Sequence, residues 1–398
     1  MKFENLQINR QIIDKTIQEG YDELTLIQER CIPEIIKGRD VVGQAETGSG
    51  KTIAFCLPIL EKVKPGEGLQ TVVLTPTREL CIQVTDVFKL YGKQLGIKTT
   101  SIYGGVGIQP QIKGIKTSEV VIGTPGRMLD HLRRGTIDFR NVRFLILDET
   151  DKMLEMGFID DVEKIIRHTP KNRQTLMFSA TIMGSIHQLM NRHLRNPVII
   201  KTKSQVDKSK LRQIYYDIHN QNYKFSLLVH LLKNDTSGLA IVFCATRKES
   251  DIVARNLRRY GINASAIHGG MTQKQRTRSL DGLKNETTEV LVATDVAARG
   301  LDIKNVSHIY NYDVPKTSIE YIHRIGRTAR AGENGAAITL LTAPDHDNFR
   351  RVQSNEELNI EEAEMPEFEK VTFFRNVKRR KKSYHKRYHQ KKLYKKRY

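Results

Sequence analysis

The sequence predicts an α/β protein with two tandem domains, each built on a parallel sheet, and three observations lead to this prediction. The chain has 398 residues, which is long for a single hydrophobic core. Short apolar, β-branched runs alternate with amphipathic helical segments, a pattern typical of buried parallel strands joined by helices. A charged stretch at 201–210 lacks periodicity and separates two series of such runs, so it is the best linker candidate.

The predicted strands fall on both sides of this linker. Those before it are Thr71–Thr75, Val120–Gly123, Arg143–Leu147, Thr175–Phe178 and Val198–Ile200. Those after it are Ile214–Ile218, Leu239–Cys244, Val290–Ala293, Val306–Tyr310 and Ala336–Leu341. We therefore expect one domain over residues 1–202, a linker over 203–210, a second domain over 211–350 and a further segment over 351–398.

Composition excludes several classes of protein. The longest apolar stretch, about residues 53–60, is much shorter than a membrane span, and the first residues lack a secretory-type apolar segment. The cysteines show no short pairing, so neither a disulfide framework nor a zinc site is indicated. They are Cys31, Cys56, Cys81 and Cys244. We expect a soluble, cytoplasmic protein, and a monomer by default.

Charge is concentrated near the C-terminal end. The net charge is +20, and residues 371–398 contain 13 basic and no acidic residues. An acidic stretch precedes this tail and consists of Glu356, Glu357, Glu361, Glu362, Glu364, Glu367 and Glu369. Blocks of like charge are typical of solvated or disordered segments, so the folded part is expected to end near residue 350 and the tail to be disordered.

The tail also contains a short duplication. Residues 381–388 read KKSYHKRY and residues 391–398 read KKLYKKRY. Lysine and arginine neutralise phosphates and tyrosine stacks on unpaired bases, so the pattern predicts a nonspecific RNA tether. A solubilising tail and a polybasic targeting signal are the alternatives.

A phosphate-binding loop is indicated directly after the apolar run 41–44. It reads Ala45, Glu46, Thr47, Gly48, Ser49, Gly50, Lys51 and Thr52. In such a loop the backbone N–H groups and the next helix N-terminus bind phosphates, the lysine reaches the β- and γ-phosphates, and the threonine ligates Mg²⁺. Ala45 stands at the usual first glycine, and a chance glycine-rich turn is the alternative.

Two further parts of a triphosphate site follow. The predicted strand 143–147 ends in Asp148-Glu149-Thr150-Asp151, where one carboxylate can hold Mg²⁺ and the next can position or deprotonate water. A solvated acidic turn is the alternative, but the preceding strand and the spacing from the loop favour a nucleotide site. An arginine cluster at 323–330 can stabilise transition-state charge. The site is therefore predicted to be divided between two domains.

In their order along the chain, these and further motifs resemble those of the DEAD-box RNA helicases of helicase superfamily 2. The resemblance covers nearly all of residues 1–350. The matching segments are Gly20–Tyr21 with Thr25–Gln28, Pro76–Leu80, Gly104–Gly105, Thr124–Arg127, Ser179–Thr181, Val242–Phe243, Gln273–Arg276, Ala293–Asp295, Arg299–Asp302 and His323–Arg330. It implies two RecA-like domains, ATP and Mg²⁺ as cofactors, and RNA as partner.

The resemblance also implies roles for residues around ATP. Gln28 would hydrogen-bond the adenine edge and Phe3 would stack on the ring. Asp148 would hold Mg²⁺ through water, and Glu149 would orient the attacking water. The remaining roles would be arginine fingers for Arg327 and Arg330, a ribose contact for Asp302, and coupling of nucleotide to domain closure for His323, Asp151, Ser179 and Thr181.

The implied RNA contacts are backbone amides, hydroxyls and guanidiniums that face phosphates and 2′-OH groups, so they carry little sequence information. They come from Thr77, Arg78, Gly105, Thr124, Gly126, Arg127, Gln273, Arg276 and Thr294. A bent strand would fit both closed domains, whereas a regular duplex would not. Closure would therefore open a few base pairs locally.

The sequence departs from the family pattern at several positions. Thr150 replaces the alanine that names the family, and Ala329 replaces a glycine between the two fingers, where its methyl can shift Arg330. Leu24 and Leu26 stand where prolines are usual, which can loosen the adenine loop, and Tyr21 replaces a phenylalanine. No chemically essential group is lost, so activity is expected to survive.

The expected function is RNA-stimulated ATP hydrolysis coupled to local duplex unwinding and remodelling of ribonucleoproteins. An ATP-gated RNA clamp or strand-annealing chaperone is the alternative, because the basic tail could do most of the work. A DNA helicase would share the ATP motifs but fits the RNA motifs poorly.

Overall fold

Two seven-stranded, all-parallel sheets, one in each domain, form the centre of the computed structural model of this protein. The structure describes residues 1–46, 48–182, 184–202, 210–236, 238–285, 287–298, 303, 306–329, 334–356 and 358–375. The predicted fold class is confirmed. The predicted linker up to residue 209 and the duplicated basic tail lie outside the described residues.

The first sheet has the strand order β3-β4-β2-β5-β6-β1-β7. Its strands are β1 Val41–Gln44, β2 Thr71–Leu74, β3 Thr99–Ile102, β4 Val120–Gly123, β5 Phe144–Leu147, β6 Gln174–Ser179 and β7 Val198–Lys201. The helices of this domain are α1 Arg10–Gln18, α2 Leu26–Ile36, α3 Lys51–Lys62, α4 Arg78–Gly92, α5 Ile108–Ile115, α6 Pro125–Arg133, α7 Thr150–Glu155, α8 Ile159–Arg167 and α9 Gly184–His193.

The second sheet has the order β10-β11-β9-β12-β13-β8-β14, which is the first order repeated strand for strand. Its strands are β8 Leu211–Asp217, β9 Leu239–Phe243, β10 Ala264–Ile267, β11 Val290–Ala293, β12 Val306–Asn311, β13 Gly335–Leu341 and β14 Glu361–Glu362. The helices are α10 Lys224–Asn234, α11 Arg247–Arg259, α12 Gln273–Lys284, α13 Asp295–Ala298, α14 Ser318–Ile325 and α15 His346–Gln353. Among the described residues, no helix is long and apolar enough to cross a bilayer.

Successive strand residues face two different cores, because side chains alternate across a sheet that is covered on both faces. In β1, Val41 belongs to one core of the first domain and Val42 to the other. In β9, Val242 and Ile241 divide in the same way between the two cores of the second domain. This double burial explains why the strand runs read as continuous apolar stretches.

Three strands were not expected from the sequence: β3, β10 and β14. β3 and β10 are the first strands in the two sheet orders, so each has only one neighbouring strand. In both strands only the first and last residues are buried. Their sequences, TTSI and ASAI, are therefore small and polar, and they lack the apolar signal that identified the inner strands.

The expectation that the folded part ends near residue 350 is wrong. Helix α15 reaches Gln353, and β14 then pairs in parallel with β8 at the free edge of the second sheet. We call residues 358–375 the C-terminal strap. Its glutamates at β14 are exposed, whereas Ala363, Phe368, Val371 and Phe373 pack against the second domain's core. The charge of this segment predicted that it would be solvated. The apolar residues between the charged ones instead pack it against the domain.

Candidate functional site

The candidate residues gather at the carboxyl ends of the strands, where parallel α/β sheets bind ligands. In the first sheet β5, β6 and β1 are neighbours, and they lead into the acidic motif, Ser179–Thr181 and the phosphate loop. The neighbouring strands β3, β4 and β2 lead into the three candidate RNA segments of this domain. Strand order therefore separates candidate nucleotide residues from candidate RNA residues.

The phosphate loop joins β1 to α3. Gly48 and Gly50 have φ of 85° and 90°, in the left-handed region that glycine tolerates best. Helix α3 begins at Lys51, so its unpaired first-turn N–H groups and dipole favour an anion at this point. Lys51 is buried, and its Nζ donates to the Ala45 carbonyl at 2.6 Å. A phosphate would compete with that carbonyl for the ammonium; Thr47 lies outside the described residues.

The segment Thr25–Gln28 holds the loop in place. Gln28 Oε1 accepts the Thr25 N–H at 2.9 Å, and Gln28 Nε2 donates to the Gly50 carbonyl at 3.1 Å. Thr25 Oγ1 donates to the Ser49 carbonyl at 2.8 Å. Each amide atom of Gln28 keeps one further donor or acceptor position, which is what a bidentate adenine contact would need.

Phe3 does not present a ring face for adenine in this structure. Its side chain is 1% exposed and belongs to the first domain's core. The Phe3 N–H donates to the Asp22 carbonyl at 3.1 Å. Lys2 and Glu23 form an isolated antiparallel β-bridge through their backbones, so the N-terminal segment runs antiparallel to the loop before α2. In this structure the Phe3 ring therefore packs in the core, and its stacking on adenine stays a prediction.

Asp148 and Glu149 are buried side by side at the end of β5. Burial, together with the Glu149 charge, raises the pKa of Asp148 to about 7. Burial also favours neutral Glu149, but Lys152, Lys51 and, from the second domain, Arg327 outweigh this effect and lower the Glu149 pKa overall. Two adjacent carboxylates with oppositely shifted pKa values are typical of groups with different tasks.

Lys152 is a site residue that the sequence analysis missed. It is 1% exposed, and its Nζ lies 2.6 Å from Glu149 Oε1. Burial lowers the pKa of Lys152, and Glu149 partly opposes this effect. The other Glu149 oxygen, Oε2, is buried without a hydrogen-bond partner in the described part of the chain, so it is available to a water. The i,i+3 spacing at a helix start was the available signal.

The remaining residues of the acidic motif connect β5 to β6. Thr150 is buried, and its Oγ1 lies 3.3 Å from the carbonyls of both Leu147 and Phe178. The backbone carbonyls therefore provide acceptors for the buried Thr150 hydroxyl. Asp151 Oδ2 accepts the N–H groups of Ala180 and Thr181, each at 3.0 Å.

Ser179 completes this connection by donating from Oγ to the Thr181 carbonyl at 2.6 Å. Asp151, Ser179 and Thr181, which were predicted to couple the domains, are thus joined to one another within the first domain.

Contacts from the second domain reach this site. Arg276 Nε lies 2.8 Å from Glu79 Oε1, and both side chains are buried. His323 Nδ1 lies 3.9 Å from Glu155 Oε1. Arg327 is buried and contributes to lowering the pKa of Glu149. Arg330 and Asp302 lie outside the described residues.

Two arginines that were predicted to contact RNA have protein partners. Arg276 pairs with Glu79, which the sequence analysis did not single out. Arg127 donates to the Val106 carbonyl and to Gln111 Oε1, both at 3.3 Å. Guanidinium groups carry five N–H donors, so these contacts orient the arginines without using every donor.

The other RNA candidates lie at helix starts and tight turns. Thr77 caps α4 by accepting the Leu80 N–H at 3.2 Å. Gly105 has φ of 84°, and a Cβ there would collide with the Arg78 guanidinium. Gln273 opens α12, and its Oε1 is buried without a partner among the described residues. Thr124, Gly126 and Thr294 lie at the starts of α6 and α13.

Ala329 adopts the left-handed conformation, with φ of 52°. This region costs an L-residue roughly 1–2 kcal/mol, and glycine escapes that cost. A glycine, which the resemblance predicts at this position, would avoid that cost. Ala329 instead buries its methyl in the core beside α14, at 2% exposure.

The donor set fits Mg²⁺ better than a metal caged by protein alone. In the described residues no group of three or more His, Cys, Asp and Glu side chains could hold a metal ion. Magnesium commonly uses one or two protein oxygens, with water and phosphate oxygens as the other ligands. The Thr52 hydroxyl and the buried Asp148 carboxylate are such oxygens. A bound cation would lower the raised pKa of Asp148 and so favour its ionised form.

Comparison with known families supports this assignment of motifs. Residues 25–189 match the DEAD/DEAH box helicase model, and residues 223–332 match the model of the helicase conserved C-terminal domain. The chain is 40% identical to the DEAD-box ATP-dependent RNA helicase CshA of Bacillus subtilis over 367 residues, which is 92% of this chain and 74% of that protein. The ATP-dependent RNA helicase CshA of Limosilactobacillus reuteri is 40% identical over 355 residues, which is 89% of this chain and 71% of that protein.

Solved structures agree over both domains. Saccharomyces cerevisiae Dbp5 bound to RNA and ADP BeF3 superposes with a TM-score of 0.83 at 30% identity, covering 91% of this chain and 95% of that one. A DEAD box protein from Methanococcus jannaschii is 39% identical but superposes with a TM-score of only 0.55, covering 92% and 99% of the two chains.

Proposed function

The chain belongs to the DEAD/DEAH-box helicase family, and from this premise we propose that it is an RNA-dependent ATPase that unwinds short duplexes and remodels ribonucleoproteins by closing its two domains. The observation that carries the proposal is the position of Arg327. Against the effect of burial, Lys152 and Lys51 lower the pKa of Glu149 most, and the charge of Arg327, a buried residue of the second domain, adds to their effect. His323 Nδ1 of the second domain also lies 3.9 Å from Glu155 Oε1, in the helix that follows Glu149, so the two halves of the site face each other. The arrangement is similar to that of a relative bound to RNA and a nucleotide analogue.

In the proposed reaction, the loop N–H groups and Lys51 hold the ATP phosphates, and Gln28 holds the adenine. Thr52 and Asp148 would hold Mg²⁺, which supplies charge neutralisation at the phosphates when it is bound. Glu149, fixed through Oε1 by Lys152, orients the attacking water through its unpaired Oε2. Arg327 and Arg330 stabilise the charge that develops on the γ-phosphoryl group.

Coupling to RNA follows from the placement of the candidate contacts on both domains. An RNA strand bound across the two domains would favour the arrangement that brings Arg327 to Glu149. His323 with Glu155, and Arg276 with Glu79, would add direct contacts between the domains in that state. By linkage, ATP and RNA must then raise each other's affinity. Backbone-directed contacts would leave little sequence preference.

The test is ATP hydrolysis with RNA, DNA or no nucleic acid, alongside unwinding of a short RNA duplex, for the wild type and Glu149→Gln. We expect RNA-stimulated turnover and unwinding, with both lost in the variant. Equal stimulation by DNA would overturn the RNA assignment. RNA held in an ATP-dependent way by Glu149→Gln, with no unwinding by the wild type, would establish the clamp alternative instead.

The basic tail has a separate proposed role as an RNA tether. Its cations would raise RNA affinity without changing the chemistry. Deletion of the tail should therefore raise the RNA concentration needed for half-maximal ATPase and leave the saturated rate unchanged. An unchanged RNA dependence at low salt would contradict the tether.

A further inference from the structure

A buried polar network lies behind the RNA candidates of the first domain. It is centred on Gln111 in α5 and His131 in α6, which are 6% and 0% exposed. His131 Nε2 lies 3.2 Å from Gln111 Oε1. Neither residue is among the candidate nucleotide or RNA contacts, and neither is exposed enough to touch a ligand.

Gln111 joins two of the candidate RNA segments. Its Nε2 donates to the Tyr103 carbonyl at 3.1 Å, directly before the turn that contains Gly104–Gly105. Its Oε1 accepts from Arg127 Nη1 at 3.3 Å, in the first turn of α6. Arg127 also donates to the Val106 carbonyl through both Nη1 and Nη2, each at 3.3 Å. The turn and the arginine are therefore bonded to each other both directly and through Gln111.

The directions of these bonds agree with one another. A carbonyl can only accept, so the Gln111 nitrogen faces Tyr103. The Gln111 oxygen then faces two donors, Arg127 Nη1 and His131 Nε2. His131 therefore carries its proton on Nε2, and Nδ1 accepts from the Thr136 hydroxyl at 2.8 Å. Burial and then the Arg127 charge lower the pKa of His131, which favours this neutral form of the ring.

Bond direction is what this polar pair adds beyond packing. Replacing both partners of a buried hydrogen bond by apolar groups of the same shape is often nearly neutral for stability. An apolar pair here would leave Arg127 held by the Val106 carbonyl and, through Nε, by Asp130 at 3.7 Å. In the described part of the chain, the contacts of Arg127 leave one Nη2 N–H for a phosphate oxygen, and the side chain is 15% exposed.

We propose that Gln111 and His131 are positioning residues for RNA binding. Gln111 holds the Arg127 guanidinium beside the turn at residues 104–106, so that the arginine and the backbone of the turn reach phosphates of the same RNA strand. His131 orients the Gln111 amide from the buried side. The proposal rests on the proposed RNA function and deepens it, because it names residues that determine the geometry of the RNA surface without touching RNA.

The test is the salt dependence of RNA binding by the full chain. Affinity for a short single-stranded RNA is measured with a non-hydrolysable ATP analogue over a series of KCl concentrations, for the wild type, Gln111→Met, Arg127→Met and the double variant. Each phosphate contact with a single strand contributes about 0.7 to the slope of log affinity against log salt concentration. We expect each single variant to weaken binding by about tenfold and to reduce the magnitude of the slope by about 0.7.

The double variant distinguishes positioning from packing. If Gln111 acts through Arg127, Gln111→Met should weaken binding by less than about twofold once Arg127→Met is present. Gln109→Met is the matched control, because Gln109 is an exposed residue of the same helix, and it should keep the wild-type affinity and slope. A wild-type slope in Gln111→Met, or effects that multiply in the double variant, would overturn the proposal.

Two substitutions of His131 provide a second comparison. His131→Gln keeps an N–H group close to the position of Nε2, whereas His131→Leu removes it. We expect His131→Leu to weaken RNA binding by about fivefold and His131→Gln to stay within about twofold of the wild type. Equal losses in the two variants would show that only the volume of the ring matters and would overturn its positioning role.

The positioning role and the proposed function fail in different ways. Thermal unfolding is measured for every variant, and lower stability alone would leave the salt slope of the folded protein unchanged. Wild-type RNA binding with an unchanged slope in Gln111→Met would count only against the positioning role. A wild-type chain that binds RNA in no nucleotide state would overturn the proposed function and the positioning role together.

Discussion

The two domains have the same strand order but different chemistry at corresponding positions. In the first domain β1 leads into the phosphate loop, whereas the corresponding β8 leads into Ile218 and then α10 without a glycine-rich loop. In the first domain β5 ends in two buried carboxylates, whereas α14, which follows the corresponding β12, leads into the turn that contains Arg327. In the proposed mechanism one copy of the fold holds the nucleotide and the other supplies Arg327. The proposed site is therefore complete only when the two domains face each other.

The edge strands of the two sheets also differ. β7 pairs with β1 over four residues, whereas β14, its counterpart, pairs with β8 over only two. After β14 the chain leaves the sheet and crosses α10 and α11. The last strand of the sheet is thus a four-residue edge strand, β7, in the first domain, whereas in the second domain it is the short β14, from which the strap continues.

The largest expected effect comes from removing the contribution of the second domain to the nucleotide site. Arg327→Ala should lower the RNA-stimulated kcat by about 10³-fold, because an arginine finger stabilises charge that develops only in the transition state. ATP affinity without RNA should change little, because the first domain holds the phosphates. The measurement is steady-state ATPase with equilibrium ATP binding. A kcat within tenfold of wild type would contradict the proposal that the first domain holds the phosphates and Arg327 of the second domain stabilises the transition state.

The next effect tests whether the first domain alone positions its base. Lys152→Met should lower kcat by about 10²-fold with little change in the KM for ATP, because Glu149 loses the cation that fixes Oε1 and lowers its pKa. Lys152→Arg should restore part of the rate. The pH–rate profile of Lys152→Met is compared with that of the wild type, and the limb assigned to Glu149 should move to higher pH in the variant. A fall in stability with an unmoved profile would show that Lys152 only packs.

A smaller effect concerns the ion pair between Glu79 and Arg276. If this pair joins the domains, Glu79→Gln and Arg276→Gln should each raise the RNA concentration for half-maximal ATPase several-fold, and the double variant should be no worse than either one. Such non-additivity corresponds to a coupling of about 1–3 kcal/mol. An effect of Arg276→Gln with none of Glu79→Gln would instead make Arg276 an RNA contact, as the sequence predicted.

The smallest effect concerns Ala329. Ala329→Gly should raise the free energy of unfolding by about 1 kcal/mol or less, since it relieves the left-handed strain but loses a buried methyl and adds freedom to the unfolded chain. Asn196→Gly is the matched control, because Asn196 has φ of 42° in the first domain, away from the site. Thermal unfolding measures both. A destabilised Ala329→Gly would show that the methyl contributes more than the backbone strain costs.

Sequence reasoning succeeded where one physical signal dominates. Inner strands such as Val120–Gly123 are buried on both faces, so they appear in the sequence as apolar runs. The loop between β1 and α3 was recognisable because Gly48 and Gly50 adopt positive φ directly before the helix. Sequence reasoning failed where tertiary contacts override local character. The half-exposed β3 lacks an apolar signal, the strap is held by apolar residues placed between glutamates, and Phe3 is taken up by the core. Partners such as Glu79 become visible only when the domains face each other.

In the proposed mechanism Arg327 of the second domain completes the nucleotide site on the first domain. The most direct test measures ATP affinity with and without saturating RNA, and RNA affinity with and without ATP, in the non-hydrolysing Glu149→Gln background. We expect each ligand to raise the affinity of the other by the same factor, and this factor to fall toward one when Arg327→Ala is added. An undiminished factor in the double variant would show that Arg327 does not couple the two ligands.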